Sequence, residues 1–138
     1  MIHITHLDHL VLTVKDIKKT CDFYQQVLGM EVITFLNDRK ALKFGNQKIN
    51  LHLAGGEIQP HALSPTPGSA DLCLISKTDL DQIVGFLKDQ QITIEAGPVE
   101  RTGAVGKLRS VYIRDPDQNL IEVSNDLTNQ PLAPETVS

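Results

Sequence analysis

The sequence predicts an α+β protein that contains two βαβββ modules in succession. A strand–helix–three-strand pattern occurs twice along the 138 residues, and a segment rich in glycine and proline separates the two copies. A chain of this length, with 41% hydrophobic residues, can bury a core without disulfide or metal cross-links. We assign residues 1–54 to the first module, 55–69 to a linker loop, 70–125 to the second module and 126–138 to a loose C-terminal tail.

The first module begins with a strand over residues 7–14, where apolar and polar residues alternate and β-branched residues are common. Asp16 stands at the N-cap position of a helix predicted over 17–28, and Gly29 supplies the residue that ends it. Short turns then separate three further predicted strands, at 31–35, 40–44 and 48–53.

The second module repeats this order. A strand over 70–76 precedes a helix whose predicted N-cap is Thr78. The helix is predicted from an apolar stripe at helical spacing: Leu80, Ile83, Val84 and Leu87. The predicted strands that follow lie at 91–95, 108–114 and 119–124, and the glycine-containing segment 97–106 is interpreted as a flexible flap. Aligning the two halves sets His9 against Asp71 and His52 against Glu122.

Composition excludes several classes of function. The 13 basic residues against 17 acidic ones give a net charge of −4, and no Trp is present, so neither phosphate neutralisation nor base stacking is favoured and nucleic acid is not expected as a partner. No apolar run approaches the roughly 20 residues of a membrane span, so we expect no membrane partner. Two cysteines without a CxxC spacing indicate reduced thiols in the cytoplasm.

Four strand positions carry side chains that can bind a metal. Because side chains alternate along a strand, each of these residues lies on the face opposite the main apolar row of its strand: His9, His52, Asp71 and Glu122. Two imidazole nitrogens and two carboxylates suit a divalent ion such as Zn, Ni, Co, Mn or Fe(II), with positions left open for water or substrate. The sequence therefore predicts a metal site built from both halves.

Two end motifs resemble those of a known family. The opening LDHLVLTVKDIKKTCDFYQQVLGMEV and the closing YIRDPDQNLIEVSN are similar to those of the vicinal oxygen chelate superfamily, which includes glyoxalase I, extradiol dioxygenases and bleomycin-resistance proteins. The likeness runs from about residue 5 to 125 and looks closest to the glyoxalase-domain-containing protein 5 type and related bacterial virulence proteins. It implies two modules whose mixed sheets curl round a cavity, and a homodimer.

The resemblance also implies roles for residues. His9 and Glu122 match the family's ligand motifs directly, His52 matches by repeat position, and Asp71 departs from the family because a histidine is usual there. A glyoxalase I-like (lactoylglutathione lyase-like) isomerase or lyase is the first expectation, in which the metal stabilises an enediolate and Glu122 is the general base. Two alternatives remain: a metal-free small-ligand-binding protein of the bleomycin-resistance type, favoured by Asp71, and an extradiol dioxygenase of catechols.

Other residues are candidates for contact with a small-molecule substrate. Arg101 and Arg109 lie in or beside the predicted flap and could hold an anionic substrate, and Cys73 shares a strand face with Asp71. The acidic segment 115–119 begins like a calcium-binding loop but lacks its glycine, so a hairpin turn is favoured. We expect a cytoplasmic homodimer. The sequence leaves open whether the two halves complete one site within a single chain or across the two chains of the dimer.

Overall fold

The computed structural model describes residues 1–128, and the chain divides into two compact units. The first unit contains Met1–Ala70 together with the short segment Asp115–Gln118. The second contains Asp71–Arg114 and the chain from Asn119 onward. The domain boundaries assigned from the sequence stay predictions, and each unit is described by itself.

The first unit is a four-stranded mixed sheet with one helix. Its elements in chain order are β1 (His9–Val14), α1 (Ile17–Gln26), β2 (Glu31–Phe35), β3 (Arg39–Phe44) and β4 (Gln47–Leu53). The strand order is β1-β4-β3-β2, in which β1 and β4 run parallel and the other neighbours are antiparallel. The parallel pair requires a long crossover, so the chain traverses α1, β2 and β3 before β4 lies beside β1.

The second unit repeats this topology. Its elements are β5 (Asp71–Ile75), α2 (Leu80–Asp89), β6 (Ala96–Thr102), β7 (Lys107–Arg114) and β8 (Leu120–Asp126). The order β5-β8-β7-β6 is that of the first sheet, with β5 and β8 again the parallel pair. The predicted α+β class and the two βαβββ patterns are confirmed, and they form two separate four-stranded sheets.

Each helix covers the apolar face of its own sheet. In the first unit, Tyr24 and Cys21 of α1 are buried with Leu12, Leu42 and Ile49 of the strands. In the second unit, the corresponding buried residues come from α2 and its strands: Leu80, Leu87, Val111, Ile113 and Ile121. Burial of these side chains leaves the opposite face of each sheet for other residues.

Both helices begin at an aspartate. The Asp16 side chain accepts a hydrogen bond from the Lys19 backbone N at 3.0 Å, as the N-cap prediction requires. In the second unit the predicted cap, Thr78, was wrong by one residue: Asp79 is the N-cap and accepts from the Asp81 N at 3.2 Å. The amide one residue before Asp81 is also satisfied, because the Leu80 N donates to Asn125 Oδ1 at 2.7 Å.

The strand and flap predicted after α2 are corrected. Residues 91–95 form no strand, whereas Ala96–Thr102, predicted as part of a flexible loop, is the edge strand β6. The register between β6 and β7 shifts between Ala96 and Val99, and Gly97 in this bulge has φ +98°. A Cβ on Gly97 would overlap the Ser110 carbonyl oxygen, so glycine here permits pairing rather than flexibility.

The predicted hairpin turn at 115–119 connects β7 to β8, and its segment Asp115–Gln118 is part of the first unit. The Tyr24 hydroxyl donates to the buried Asp115 Oδ2 at 2.6 Å. The Lys15 backbone N donates to Asp117 Oδ1 at 3.2 Å. Both acidic side chains are buried, and their hydrogen bonds hold the turn in place.

Two further predictions concern the end of the chain and the membrane. The tail was predicted to start at 126, but Asp126 is the last residue of β8, and residues 129–138 lie outside the described part. Across residues 1–128, neither helix has the length and apolar character needed to cross a bilayer.

Candidate functional site

The face of each sheet opposite its helix carries most of the polar strand residues. We call it the polar face and define it by the residues that strand register sets side by side. Because partners in a ladder point to the same side of the sheet, each register line across the strands is a row of neighbouring side chains.

The polar face of the first sheet contains three such rows. The first row joins Glu31, Lys43, Lys48 and His9. The middle row joins Ile33, Ala41, Asn50 and Val11. The last row contains the pairs Phe35–Arg39 and His52–Thr13.

The polar face of the second sheet has the same three rows. The first row joins Arg114, Leu120 and Asp71. The middle row joins Ala96, Tyr112, Glu122 and Cys73. The last row joins Val99, Ser110, Ser124 and Ile75.

Strand register corrects the repeat alignment drawn from the sequence. His9 and Asp71 both open the first row, as aligned. Glu122, however, stands in the middle row, where its counterpart is Asn50, while His52 stands one row further on and corresponds to Ser124. Asn50 lies between Ile49 and Leu51 as Glu122 lies between Ile121 and Val123. His52 also lies between two apolar residues, Leu51 and Leu53, so strand register was needed to distinguish Asn50 from His52.

The two residues that open the first rows are accessible. The His9 side chain is 45% exposed, and its Nδ1 lies 2.9 Å from Asp8 Oδ1, which lowers the pKa of the Asp8 carboxyl. This hydrogen bond to Nδ1 leaves His9 Nε2 as the nitrogen for a ligand. Asp71 is an exposed residue at the start of β5.

Asn50 and His52 are both buried and incompletely bonded. Asn50 is 7% exposed and its Oδ1 has no hydrogen-bond partner, and His52 is 4% exposed with an unpartnered Nδ1. Burial, followed by the charge of Arg39, lowers the pKa of His52. Along the strands His52 lies four positions from His9 and Asn50 two, or about 13 Å and about 7 Å at the usual rise. The structure therefore brings Asn50 closer to His9 than it brings His52.

Glu122 stands in a cluster of polar neighbours. Its register partners are Cys73 and Tyr112, and the Ser124 hydroxyl lies 3.5 Å from its Oε2. Burial raises the pKa of the Cys73 thiol, and the Glu122 charge raises it further. The pKa of Tyr112 is raised in the same way, first by burial and also by Glu122. Cys73 Sγ in turn lies 3.3 Å from Ser124 Oγ.

The two arginines predicted to bind substrate lie on opposite faces of the second sheet. Arg101 Nε donates to the Tyr112 hydroxyl at 2.9 Å, which sets the guanidinium on the polar face beside the neighbour of Glu122. Arg109 instead pairs with Asp81 of α2 at 3.0 Å, on the helix-covered face. Arg101 and Cys73 are thus together with Glu122, and Arg109 is not. Tyr112 was missed by the sequence analysis because nothing but register links it to Glu122.

The polar faces carry side chains of the types that bind divalent metal ions. Among residues 1–128, no three His, Cys, Asp or Glu side chains form a group that could hold one. The donors within each unit are of the right type, since imidazole nitrogen, carboxylate oxygen and amide oxygen all bind first-row divalent ions. Asn50 Oδ1, a buried acceptor without a partner, is the observation that favours a cation at this face.

Comparisons with known proteins agree on one family. A family model described as the glyoxalase/bleomycin resistance protein/dioxygenase superfamily matches residues 6–123. The virulence protein STM3117 of Salmonella typhimurium is 56% identical over 121 residues, which cover 88% of this chain and 84% of that protein. The glyoxalase domain-containing protein RDO1 of Mycosarcoma maydis is 53% identical over 119 residues, which cover 86% of this chain and 67% of that protein.

Solved structures give the same result. The crystal structure of STM3117 superposes with a TM-score of 0.90 at 54% identity, covering 91% of this chain and all of the other. Two more distant structures have a TM-score of 0.69 and share the fold alone. One is a lactoylglutathione lyase from Agrobacterium tumefaciens, which is 22% identical and covers 89% of this chain and 95% of its own. The other is TnmS3, an antibiotic binding protein from Streptomyces sp. CB03234, which is 20% identical and covers 91% of this chain and 98% of its own. The family resemblance of the two end motifs is confirmed.

Proposed function

We propose, on the premise that this chain belongs to the glyoxalase/bleomycin resistance protein/dioxygenase superfamily, that it is a metal-dependent enzyme acting on a small molecule. The reaction we favour is a glyoxalase I-like isomerase or lyase step. One observation carries the proposal: matched register gives each sheet a donor pair at equivalent positions, His9 with Asn50 and Asp71 with Glu122.

The proposed donors are His9, Asp71, Glu122 and the Asn50 amide oxygen. Zn, Ni, Co, Mn or Fe(II) suits this mixture of one nitrogen and several oxygens. When bound, such an ion would act as a Lewis acid towards two adjacent oxygens of the substrate. Asp71 supplies a carboxylate at the position where the family usually has a histidine, which favours an ion that accepts oxygen ligands readily.

His52 was predicted from the sequence as a metal ligand, and that role stays a prediction. The Arg39 charge, which contributes to the lowered pKa of His52, also disfavours a cation beside it. The buried Oδ1 of Asn50 is an acceptor without a partner among the described residues. We therefore favour Asn50 over His52 as the donor from β4.

Glu122 is the proposed general base. Its carboxylate would take a proton from the carbon beside the substrate carbonyl and return it to the adjacent carbon, so that the substrate isomerises with no net loss of atoms. Tyr112 and Cys73 stand on either side of it and stay protonated at neutral pH because their pKa values are raised. Arg101 holds the Tyr112 hydroxyl and would orient it, and with Cys73 it would contact the substrate.

The test combines metal analysis with turnover. The full chain, purified without chelator, is expected to hold a stoichiometric first-row metal and to convert the hemithioacetal of methylglyoxal and glutathione. His9→Ala should lose the metal, and Glu122→Gln should lower turnover by about 10²–10⁴-fold. His3→Ala is the matched control, since this exposed histidine precedes β1 and lies outside the proposed donor set. A chain without metal whose activity survives His9→Ala contradicts the proposal.

A metal-free ligand-binding protein is the second candidate. Asp71 at the usual histidine position, and the lack of a three-residue metal group within residues 1–128, both favour it. It predicts a ligand-induced rise in melting temperature that is unchanged by EDTA. The extradiol dioxygenase alternative predicts a yellow ring-cleavage product from catechols after anaerobic loading with Fe(II), and colourless mixtures would reject it.

We also propose that the protein is cytoplasmic and forms a homodimer. Cys21 and Cys73 are both free thiols, which fits a reducing compartment. The dimer is inferred from the family resemblance alone. Sedimentation equilibrium at micromolar concentration is expected to give twice the chain mass of 15.2 kDa, and a single-chain mass would contradict this part of the proposal.

A further inference from the structure

We propose that the last row of the first sheet's polar face binds a small oxyanion, a carboxylate or phosphate group, through Arg39 and His52. The proposal goes beyond the function above because it requires no metal and no turnover. It rests entirely on residues of the first unit.

Two buried polar atoms in this row have no partner. Arg39 Nε and His52 Nδ1 are both inaccessible to solvent and without a hydrogen bond within residues 1–128. Leaving such an atom unpaired is energetically costly, and native proteins contain few of them. Two in neighbouring side chains therefore indicate a ligand that the pair is built to hold.

Strand pairing sets the two side chains beside each other. The antiparallel ladder of β3 and β4 ends at the Ala41–Asn50 pair, and continuing its register by two residues sets Arg39 opposite His52. The Arg39 charge acts on His52, as this proximity requires. Phe35 completes the arrangement as the register partner of Arg39 on β2. All three side chains lie on regular strands, which fixes their positions better than a loop would.

Within residues 1–128, the charge of Arg39 is not shared with a carboxylate. No described acidic side chain lies within ion-pair distance of the guanidinium, which instead stands 4.9 Å from the centre of the Phe35 ring. Lys48 Nζ lies over the same ring at 4.1 Å and adds to the positive field, although part of its charge acts on Asp8. The aromatic ring orients the cation without neutralising it.

The chemistry of the pair selects an oxyanion. Arginine is a donor only, and Nε–H together with a terminal N–H matches the two oxygens of a carboxylate or phosphate. A neutral imidazole in the Nδ1–H form adds a further donor to the same oxygens. A cation is repelled by Arg39, and an apolar ligand would leave both nitrogens unpaired.

The test is anion binding by the full, EDTA-treated chain at constant ionic strength. Inorganic phosphate and succinate are titrated separately, with calorimetry for affinity and NMR of the histidine side chains for position. We expect saturable binding by at least one of the two, with the His52 imidazole resonances shifting and those of the exposed His3 unchanged. The anion that binds identifies the source as a phosphate or a carboxylate.

Matched variants separate a site from general charge. Arg39→Gln should weaken binding at least about tenfold, since a charge-assisted bidentate contact is lost. Lys40→Gln removes the same charge from the next residue on β3, whose Nζ bonds Thr34 on the other side of the sheet, and should change affinity less than about twofold. If Arg39→Gln does not fold, Arg39→Lys and the wild-type His52 shifts decide.

Two outcomes overturn the proposal. One is the absence of saturable binding by both anions in the wild-type chain. The other is equal weakening by Arg39→Gln and Lys40→Gln, which would indicate nonspecific attraction. Neither outcome bears on the metal content or turnover of the protein, so failure of this site and failure of the proposed enzyme are distinguishable.

Discussion

The middle rows of the two polar faces occupy equivalent backbone positions and carry different chemistry. In the first sheet Asn50 lies between Val11 and Ala41, two aliphatic neighbours that offer no hydrogen bond. In the second, Glu122 lies between Cys73 and Tyr112, both of which interact with its carboxylate. One backbone plan thus holds a neutral amide in one unit and a carboxylate with polar neighbours in the other.

The two helices differ in a related way. Tyr24 of α1 is fully buried and donates its hydroxyl to Asp115, whereas its counterpart Leu87 of α2 is equally buried and purely apolar. The first helix therefore contributes a hydrogen bond to a buried carboxylate, in addition to its apolar packing. The two units therefore bury a helix residue at the same position, but only the first unit makes a hydrogen bond there.

Exchanging the middle-row residues should have the largest effect. Glu122→Asn should weaken metal binding and abolish proton transfer, with turnover lowered about 10²–10⁴-fold. Asn50→Glu should tighten divalent metal binding about tenfold, or about 1.4 kcal/mol, because a charged ligand replaces a neutral one. Metal affinity is measured by competition with a chromogenic chelator.

His52→Gln is the control for this exchange. If Asn50 is the donor, metal affinity should stay unchanged in His52→Gln and fall in Asn50→Ala. If metal affinity instead falls in His52→Gln and stays unchanged in Asn50→Ala, His52 is the donor, as predicted from the sequence. The equivalent positions of Asn50 and Glu122 would then not indicate equivalent functions.

Making the two helices alike should reduce stability. Tyr24→Phe removes a hydrogen bond to a buried carboxylate, and we expect the free energy of unfolding to fall by about 2 kcal/mol. Urea denaturation followed by circular dichroism measures it. Tyr112→Phe, whose hydroxyl is only partly buried and accepts from Arg101, should cost less than about 1 kcal/mol. Equal losses in the two variants would contradict the prediction.

Alkaline pH should reveal the same contact. Burial and the Asp115 charge raise the pKa of Tyr24 far above its usual value, so the folded chain keeps a proton that the unfolded chain releases above about pH 10. Because the unfolded state then binds fewer protons, stability falls as pH rises. Between about pH 10 and 11 the free energy of unfolding should fall more steeply in the wild type than in Tyr24→Phe. Parallel curves would be the contrary result.

The helix caps should show the smallest difference. Asp16→Ala and Asp79→Ala each remove one side-chain acceptor from a helix N-terminus, and each should cost about 1 kcal/mol. Thermal unfolding of the two variants, with Thr78→Ala as the control for the mispredicted cap, measures it. A loss for Thr78→Ala as large as that for Asp79→Ala would argue against the cap assignment.

Local sequence pattern determined the elements and the polar faces. Alternation placed His9 and Glu122 on the faces away from the helices, and helical spacing with Asp16 placed the start of α1, because each depends only on residues near in sequence. The pattern failed at β6, where Gly97 resembles a loop residue in sequence but forms a bulge that only pairing with β7 reveals.

Register was decided by the tertiary structure alone. Whether Asn50 or His52 corresponds to Glu122 depends on how β4 and β8 pair with their neighbours, and a shift of two residues keeps every side chain on the same face, so alternation cannot detect it. The same holds for Tyr112 beside Glu122, Arg39 beside His52 and Tyr24 on Asp115, contacts between residues far apart in the chain. Sequence supplied the donors; strand pairing decided which of them are neighbours.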